Sequence, residues 1–391
     1  MTAARAPRRS LFEEEHDDFR ASFRGFVERE IVPHHDRWET AGRVDKAMFR
    51  EAGSRGFLGM AVPVEHGGLG VDDFRFNVII AEELQRQNVI GSGMCITLHN
   101  DVVLPYFLRA TTEEQKRRWL PGLASGELMG AIAMTEPGAG SDLAGIRTAG
   151  RRDGDDYVVS GAKTFITNGL NCDVVLTAVR TDPTEPHRGI SLLVIEDGSP
   201  GFSRGRHLDK IGLRSQDTAE LFFDDVRVPA ANLLGDPGSG FSTLMVNLAQ
   251  ERLSVATSAI AAARTALEWT VEYCREREAF GQSLSSFQNT KFALAELSTA
   301  IDVTQTYVDD LVRRHLRGEV DGVDAAKAKW WTTELQKRTV DRCLQLHGGF
   351  GYMREYPIAR AYLDARVQTI YAGTTEVMKE IIGRTMERGR S

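Results

Sequence analysis

Glu251 is the side chain of this sequence best placed to act as an acid or a base. It lies within a long segment of helical periodicity, at the centre of an apolar stripe rather than on the polar side. The other residues of that stripe are Leu244, Leu248, Val255, Ala259 and Ala262. A carboxylate there is expected to be buried, and burial raises its pKa towards the range in which a general base works. The periodicity is also consistent with a structural ion pair between Glu251 and Arg252 or a residue of another helix.

A glycine-rich segment, residues 135–142 (TEPGAGSD), is a candidate for ligand binding. Hydroxyl side chains flank a flexible backbone, and glycine allows main-chain N–H groups to approach a ligand closely. The segment is not a GxGxxG fingerprint and lacks the GK[ST] of a phosphate-binding loop. A plain turn therefore explains it as well as a nucleotide site does.

Two more glycine-containing segments occur near the end of the chain, at residues 347–351 (HGGFG) and 373–375 (GTT). Both are typical of helix ends, with Thr374 or Thr375 as an N-cap. The nine histidines show no HExxH-type spacing, and the four cysteines form no CxxC pair. No set of Ser, His and acidic residues indicates a catalytic triad. The sequence therefore predicts neither a metal site nor hydrolytic chemistry.

The composition limits the class of protein. Apolar residues make up 42% of the chain and charged residues 26%, which is ordinary for a globular protein. The net charge of −7 argues against a nucleic-acid partner. No segment approaches the roughly 18 apolar residues that a membrane-spanning helix needs, so no membrane insertion is expected. Without a signal-peptide core or a disulfide framework, we expect a cytoplasmic protein.

The elements that position these residues change in type twice along the 391 residues. The first third is mostly helical and opens with Ser10 and Glu13 at the spacing of a capping box. Short β-rich runs follow at residues 157–160, 174–179, 190–195 and 221–223. Long helical segments return at residues 241–277, 287–316, 323–346 and 377–386. We predict a helical domain (1–128), a central β domain (129–238) and a C-terminal helical bundle (239–391).

Six motifs occur in an order and spacing that resemble the acyl-CoA dehydrogenase family. They are residues 134–142 (MTEPGAGSD), 163–169 (KTFITNG), 222–229 (FFDDVRVP), 277–281 (REAFG), 345–351 (QLHGGFG) and 371–374 (YAGT). Residues 217–223 (DTAELFF) and 355–366 (EYPIARAYLDAR) are similar to its long-chain branch. The resemblance implies an α+β fold with a helical N-terminal domain, a small β-barrel-like central domain and a C-terminal four-helix bundle. It also implies a homotetramer.

The resemblance implies FAD as cofactor and assigns two groups of residues to it. The flavin ring is expected to contact Met134, Thr135, Gly140, Ser141, Phe165 and Thr167, with Thr374 and Glu376 approaching from the last helix. The adenine-dinucleotide part of a neighbouring subunit's FAD is expected to contact Arg277, Phe280, Gln288, Gln345, Gly348 and Gly349. Ala279 replaces a hydroxyl residue found in some relatives, so one phosphate contact is not matched.

The position of the catalytic base departs from the commonest pattern of the family. Many members carry a glutamate immediately before the Gly-Thr of the last motif, where this chain has Ala372. The long-chain and isovaleryl branches instead place the base in a Glu-Arg-Leu context, which residues 251–253 match. The resemblance thus implies Glu251 as the base. It implies Ser141, Arg252, Ala372 and Gly373 as substrate-binding residues.

The implied reaction is the FAD-dependent α,β-dehydrogenation of a fatty acyl-CoA to the trans-2-enoyl-CoA, for medium to long chains and within β-oxidation. Electron-transfer flavoprotein is the implied electron acceptor. The alternatives are an isovaleryl-type dehydrogenase for short branched substrates, a DNA-binding flavoprotein of the same fold, and an acyl-CoA oxidase.

Overall fold

The N-terminal part of the chain is helical in the computed structural model, which describes residues 9–387. Its helices are α1 (Glu14–Phe26), α2 (His35–Ala41), α3 (Lys46–Ser54), α4 (Phe74–Arg86), α5 (Ile90–Thr97), α6 (Leu104–Arg109) and α7 (Glu113–Ser125). A π-helical segment, Leu98–Val103, joins α5 to α6. The capping box predicted from Ser10 and Glu13 is wrong. Glu13 is itself the N-cap of α1, and it forms the box with His16.

The central part of the chain is one eight-stranded sheet. Its strands are β1 (Gly130–Ala133), β2 (Ala149–Asp153), β3 (Asp156–Thr167), β4 (Val174–Arg180), β5 (Ile190–Glu196), β6 (Phe202–His207), β7 (Thr218–Pro229) and β8 (Leu233–Leu234). The hydrogen-bonded order is β6-β7-β3-β2-β4-β5-β8, and β1 pairs with β4 in parallel. The four predicted β-rich runs all lie within these strands. The expected small β domain is therefore this sheet.

The C-terminal part of the chain returns to helices. They are α8 (Gly240–Glu276), α9 (Gln288–Leu316), α10 (Gly322–His347), α11 (Pro357–Ala365) and α12 (Thr375–Glu387). A short strand pair, β9 (Glu278–Ala279) with β10 (Gln282–Ser283), separates α8 from α9. Ile260, Ile301 and Leu335 pack together in the core of these helices. Across residues 9–387, no helix combines the length and hydropathy needed to cross a membrane.

Helix α8 connects the three parts because different faces of it are buried against each of them. Leu253 packs with Val78 of α4 in one apolar cluster, while Leu244 packs with Phe107 of α6 and Leu176 of β4 in another. A helix of 37 residues that is covered on several sides has no wide polar face. The buried polar groups on α8 therefore face either a partner or an internal cavity.

Candidate active site

A cavity of about 440 Å³ lies between α8, the helices α4 and α5, and the ends of β1 and β3. Along α8 its lining residues recur every three or four positions, twice as adjacent pairs, so they form one broad face of the helix. They are Phe241, Met245, Leu248, Glu251, Arg252, Ser254, Val255 and Ser258. The apolar stripe read from the sequence is thus partly a cavity wall rather than only a core face.

Glu251 is the acidic residue at the centre of this wall. It is 5% exposed, and its Oε1 accepts a hydrogen bond of 2.8 Å from the hydroxyl of Tyr106. Burial raises the pKa of Glu251 to about 7, opposed by the Tyr106 hydrogen bond and the charge of Arg252. At neutral pH a carboxyl group of this pKa is able both to take up and to release a proton.

The alternative interpretation of Glu251, a buried ion pair, is not what the geometry shows. Within residues 9–387, no lysine, arginine or histidine nitrogen lies within 4.0 Å of a Glu251 oxygen. Arg252 instead donates from Nε to the carbonyl oxygen of Ala372 at 3.3 Å. Its own pKa is lowered by burial and raised back in part by Glu251. Glu251 and Arg252 are adjacent on α8 but therefore have different partners, Tyr106 and the backbone of Ala372.

The backbone at Ala372 and Gly373 is held from two helices. Lys329 of α10 donates from Nζ to the carbonyl oxygen of Gly373 at 2.6 Å, next to the contact that Arg252 makes from α8. Ala372 has a φ of 52°, a region that residues with a Cβ seldom occupy. Its N–H donates to no acceptor in the described part of the chain. Both residues line the cavity, so this N–H is available to a bound carbonyl group.

All six residues expected at the flavin ring line the same cavity as Glu251. Phe165 stands out because 68% of its side chain is exposed and its φ is 58°. Such strain in an exposed aromatic residue is typical of a binding site rather than of a core. Ser141, also expected to bind substrate, lies on the loop that follows β1. The structure thus brings the flavin-ring residues together with Glu251, Arg252, Ala372 and Gly373.

Family models for the acyl-CoA dehydrogenase N-terminal, middle and C-terminal domains match residues 13–127, 131–226 and 238–387. The chain belongs to the acyl-CoA dehydrogenase family. It is 47% identical over 378 residues to the mitochondrial long-chain specific acyl-CoA dehydrogenase of Sus scrofa, covering 96% of this chain and 87% of that one. It is 36% identical over 377 residues to the short-chain specific enzyme of Megasphaera elsdenii, covering 95% and 97%.

Solved structures agree with this assignment. An acyl-CoA dehydrogenase from Geobacillus kaustophilus superposes with a TM-score of 0.93 at 50% identity, covering 96% of this chain and 99% of that one. A glutaryl-CoA dehydrogenase from Mycobacterium smegmatis in complex with FADH2 superposes with a TM-score of 0.89 at 29% identity, covering 97% and 96%. This acyl-CoA dehydrogenase is therefore an FAD-dependent oxidoreductase that acts on acyl-CoA.

The residues present fit a flavin. A Cβ added at Gly138 would meet no atom within 4 Å, and one at Gly140 would meet only Thr135 Cγ2 at 3.8 Å. The backbone of this loop therefore borders open space that a planar ring can enter. The exposed ring of Phe165 faces the same cavity and offers an aromatic surface for stacking.

Thr374 and Glu376 lie beside the cavity rather than in its wall. The Thr374 side chain accepts a hydrogen bond of 3.3 Å from the N–H of Val377 and so caps α12, as predicted. Glu376 is exposed in the first turn of that helix. A contact between either residue and the cofactor stays a prediction.

The residues expected to bind a neighbouring subunit's FAD form a separate, exposed region of the helical bundle. Its members Arg277, Phe280, Gln288, Gln345, Gly348 and Gly349 are all exposed. The guanidinium of Arg277 lies 5.1 Å from the ring centre of Phe350, which joins the end of α8 to the end of α10. Phe280 is 95% exposed with a φ of 54°. We call this region the bundle-end surface.

Sequence reasoning missed two polar contacts of the active site. Tyr106 lies in the apolar segment LPYF, and the only signal was that a buried tyrosine hydroxyl needs a partner. The second contact joins two motifs: Lys163, which is fully buried, donates to the Met134 carbonyl oxygen at 3.0 Å and to Glu136 Oε1 at 2.8 Å. Burial lowers the pKa of Lys163 to about 8, opposed by the charge of Glu136. This pair fixes β3 to the glycine-rich loop.

Proposed function

We propose that the chain oxidises medium- to long-chain fatty acyl-CoA to the trans-2-enoyl-CoA in β-oxidation, with Glu251 as the base that removes the α-proton. One observation carries the proposal. A buried carboxylate that makes no ion pair within residues 9–387, and whose pKa is about 7, lies in the wall of a largely apolar cavity that also contains the flavin-ring residues. This combination suits a base that acts on a carbon acid away from water.

The α-proton of a thioester is only weakly acidic, so the site must also stabilise the negative charge that develops on the carbonyl oxygen. The N–H of Ala372 is suited to this role because it lines the cavity and has no described acceptor. Arg252 and Lys329 hold the two carbonyl groups that follow it, so the N–H is fixed in direction before the substrate arrives. FAD, when bound, supplies the acceptor for the hydride that leaves the β-carbon.

A long unbranched substrate is favoured over an isovaleryl group by the shape of the cavity. From Phe241 to Ser258 its wall on α8 spans 18 residues, or roughly 25 Å at the helical rise. Met94 and Leu98 add apolar side chains from the neighbouring helices. A short branched acyl group would leave much of this apolar surface without contact.

We further propose that the protein is a homotetramer and that an electron-transfer flavoprotein reoxidises it. The bundle-end surface supports the first of these, since Phe280 and Arg277 are exposed in the single chain. Large exposed aromatic side chains beside a cation are typical of surfaces that another chain or a ligand covers. The acceptor follows from the family alone.

The decisive experiment compares Glu251→Gln with Glu268→Gln, a change of the same kind at an exposed position of the same helix. Both proteins are titrated anaerobically with acyl-CoA from butyryl- to palmitoyl-CoA, and flavin bleaching is followed. We expect Glu251→Gln to keep its bound FAD and to bind acyl-CoA, because the amide has nearly the same shape. Its reductive rate should fall by about 10² or more.

The control variant Glu268→Gln should bleach at the rate of the unmodified enzyme. Bleaching by Glu251→Gln at a near-normal rate would remove Glu251 from the mechanism. Bleaching of the unmodified enzyme by isovaleryl-CoA in preference to all straight chains would replace the proposed substrate class.

A further inference from the structure

The cavity has one open end and one closed end. Towards its open end the lining residues Met245, Ser141 and His187 are exposed. Towards the other end Ala81 and Ile90, from α4 and α5, are at most 4% exposed. A substrate that enters at the open end and reacts beside Glu251 therefore extends its acyl chain towards Ser258, the last cavity residue on α8.

A polar contact lies at the closed end. The side-chain amide of Gln85, at the end of α4, donates from Nε2 to Ser258 Oγ at 2.8 Å. Gln85 is 6% exposed, so its amide is buried against α8. Ser258 lines the cavity together with the apolar Ala81, Ile90 and Val255, whereas Gln85 lines a second, smaller cavity. The contact thus crosses the line along which an acyl chain would advance.

Beyond this contact lies a second, much smaller cavity along the same face of α8. Its α8 residues are Ala262 and Trp269, four and eleven positions after Ser258. Its other lining is mostly polar: Gln85, Asn88, Gln336, Asp364 and Gln368. Gln336 Oε1 is buried there and accepts no hydrogen bond from residues 9–387. The volume of about 10 Å³ is enough for about one water molecule, which suits unsatisfied polar groups.

We propose that the Gln85–Ser258 hydrogen bond is the stop that sets the acyl chain length of this enzyme. The inference rests on the proposed function. An apolar chain end that pushed past the contact would break a buried hydrogen bond and displace water from polar groups without replacing their partners. The contact therefore limits the acyl chain through the free energy lost when its polar groups are separated, as well as through the space that its side chains fill.

The position of the stop gives a length. Ser258 lies seven residues beyond Glu251 on α8, or roughly 10 Å, and an extended chain advances by less than one carbon–carbon bond of about 1.5 Å per carbon. Roughly eight carbons therefore fit beyond the reacting pair. We expect kcat/KM to rise by about fourfold per added methylene, and to stop rising at decanoyl- or dodecanoyl-CoA.

Two substitutions move the stop in opposite directions. Ser258→Leu fills the closed end, so kcat/KM for dodecanoyl-CoA should fall at least about tenfold relative to hexanoyl-CoA. Gln85→Ala removes the amide and joins the two cavities, so the rise in kcat/KM should continue to longer chains. The matched controls are Ser242→Leu, exposed on α8, and Gln87→Ala, half-buried directly after α4 and outside the lining of both cavities. Both controls should keep the profile of the unmodified enzyme.

The readout is the profile of kcat/KM from butyryl- to stearoyl-CoA, with butyryl-CoA activity as the measure of intact folding and chemistry. Profiles of both Ser258→Leu and Gln85→Ala that run parallel to that of the unmodified enzyme would overturn the stop. So would an unmodified enzyme whose kcat/KM still rises steeply beyond myristoyl-CoA. A failure of the proposed function is distinct, because then no straight-chain acyl-CoA would reduce the flavin of the unmodified enzyme.

Discussion

The cavity beside Glu251 and the bundle-end surface are both anchored on α8, but they differ in what one chain supplies. At the cavity, the carboxylate, its Tyr106 partner and the held backbone of Ala372 are buried or half-buried within a single chain. At the bundle-end surface, Phe280 and Arg277 project into solvent. One chain thus supplies the carboxylate and the backbone N–H of the proposed chemistry, whereas the bundle-end surface leaves large side chains uncovered in the single chain.

The two regions share one property, which is backbone strain. Phe165 and Ala372 at the cavity and Phe280 at the bundle-end surface all have positive φ values. Such conformations cost roughly 1–3 kcal/mol each and persist where the surroundings enforce them. At Ala372 two basic side chains, Arg252 and Lys329, hold the strained backbone, whereas the exposed Phe280 has few neighbours. If another subunit covers the bundle-end surface, as we propose, its contacts would offset the strain at Phe280.

The largest expected effect would test whether the reaction needs a carboxylate at residue 251 itself, or whether a carboxylate elsewhere in the cavity can replace it. Glu251→Ala should lower the reductive rate by about 10² to 10⁴. Adding Ala372→Glu should restore part of it, because residue 372 lines the same cavity and already carries a Cβ at its unusual φ. The measurement is anaerobic flavin bleaching under single-turnover conditions, with Ala372→Glu alone as control. A double variant no faster than Glu251→Ala would tie the function to the α8 position.

The second expected effect concerns stability. Burial raises the folded-state pKa of Glu251 to about 7 from 4.5, so the folded protein holds a proton that the unfolded chain releases between these values. Stability is therefore lost as pH rises through this window. Glu251→Gln should be more stable than the unmodified enzyme above pH 7, by up to about 3 kcal/mol, and no more stable below pH 4.5. Denaturant unfolding at several pH values measures this difference, and a constant difference would contradict it.

The third prediction tests the bundle-end surface. Arg277→Ala should weaken FAD retention by about tenfold or more if its guanidinium binds a phosphate of the neighbouring subunit's cofactor. The bleaching rate at saturating FAD should change little, since Arg277 does not line the cavity. Arg275→Ala, exposed two residues earlier, is the control. Equal FAD affinity in both variants, measured by fluorescence titration, would show that this surface has another role.

The smallest expected effect concerns the hydrogen bond between Tyr106 and Glu251 in the cavity. The hydroxyl of Tyr106 donates to Glu251 and lowers the carboxyl pKa, so Tyr106→Phe should raise it by about one unit. The rate near neutral pH should then fall by up to about tenfold and recover at higher pH. Tyr352→Phe, at an 81% exposed residue, is the control. A uniform loss of rate at every pH would mean that Tyr106 acts on the structure alone.

Much of the fold was predictable from the sequence because its signals are local. Turn residues, β-rich runs and helical periodicity indicated the order of helices, sheet and helices, and each β-rich run lies within a strand. The burial of Glu251 was predictable for a similar reason, because this charged residue lies within an apolar stripe. The start of α1 was not, because Ser10 and Glu13 both carry side-chain oxygens able to cap a helix, and Ser10 instead accepts a hydrogen bond from the distant Arg313.

The partners of the site residues were not predictable. Tyr106 is 145 residues from Glu251 in the sequence, and Gln85 is 173 residues from Ser258. No periodicity within one element indicates which distant polar group faces it. The resemblance pointed to Glu376 at the cofactor, yet it stands exposed beside the cavity, where only a bound FAD would show a contact. Pairings of this kind follow from the way helices pack, which a single sequence does not specify.

Two basic side chains, one from α8 and one from α10, hold the backbone of residues 372 and 373. The geometry of the active site therefore depends on the relative position of these two helices. Arg252 and Lys329 reach the same short stretch of backbone from different helices, so a small slide of one helix past the other turns the free N–H away from its target. On gentle warming, turnover should therefore decline at temperatures where circular dichroism still reports an intact bundle. Substitutions that loosen the contact between these helices should impair catalysis even when they lie far from any ligand.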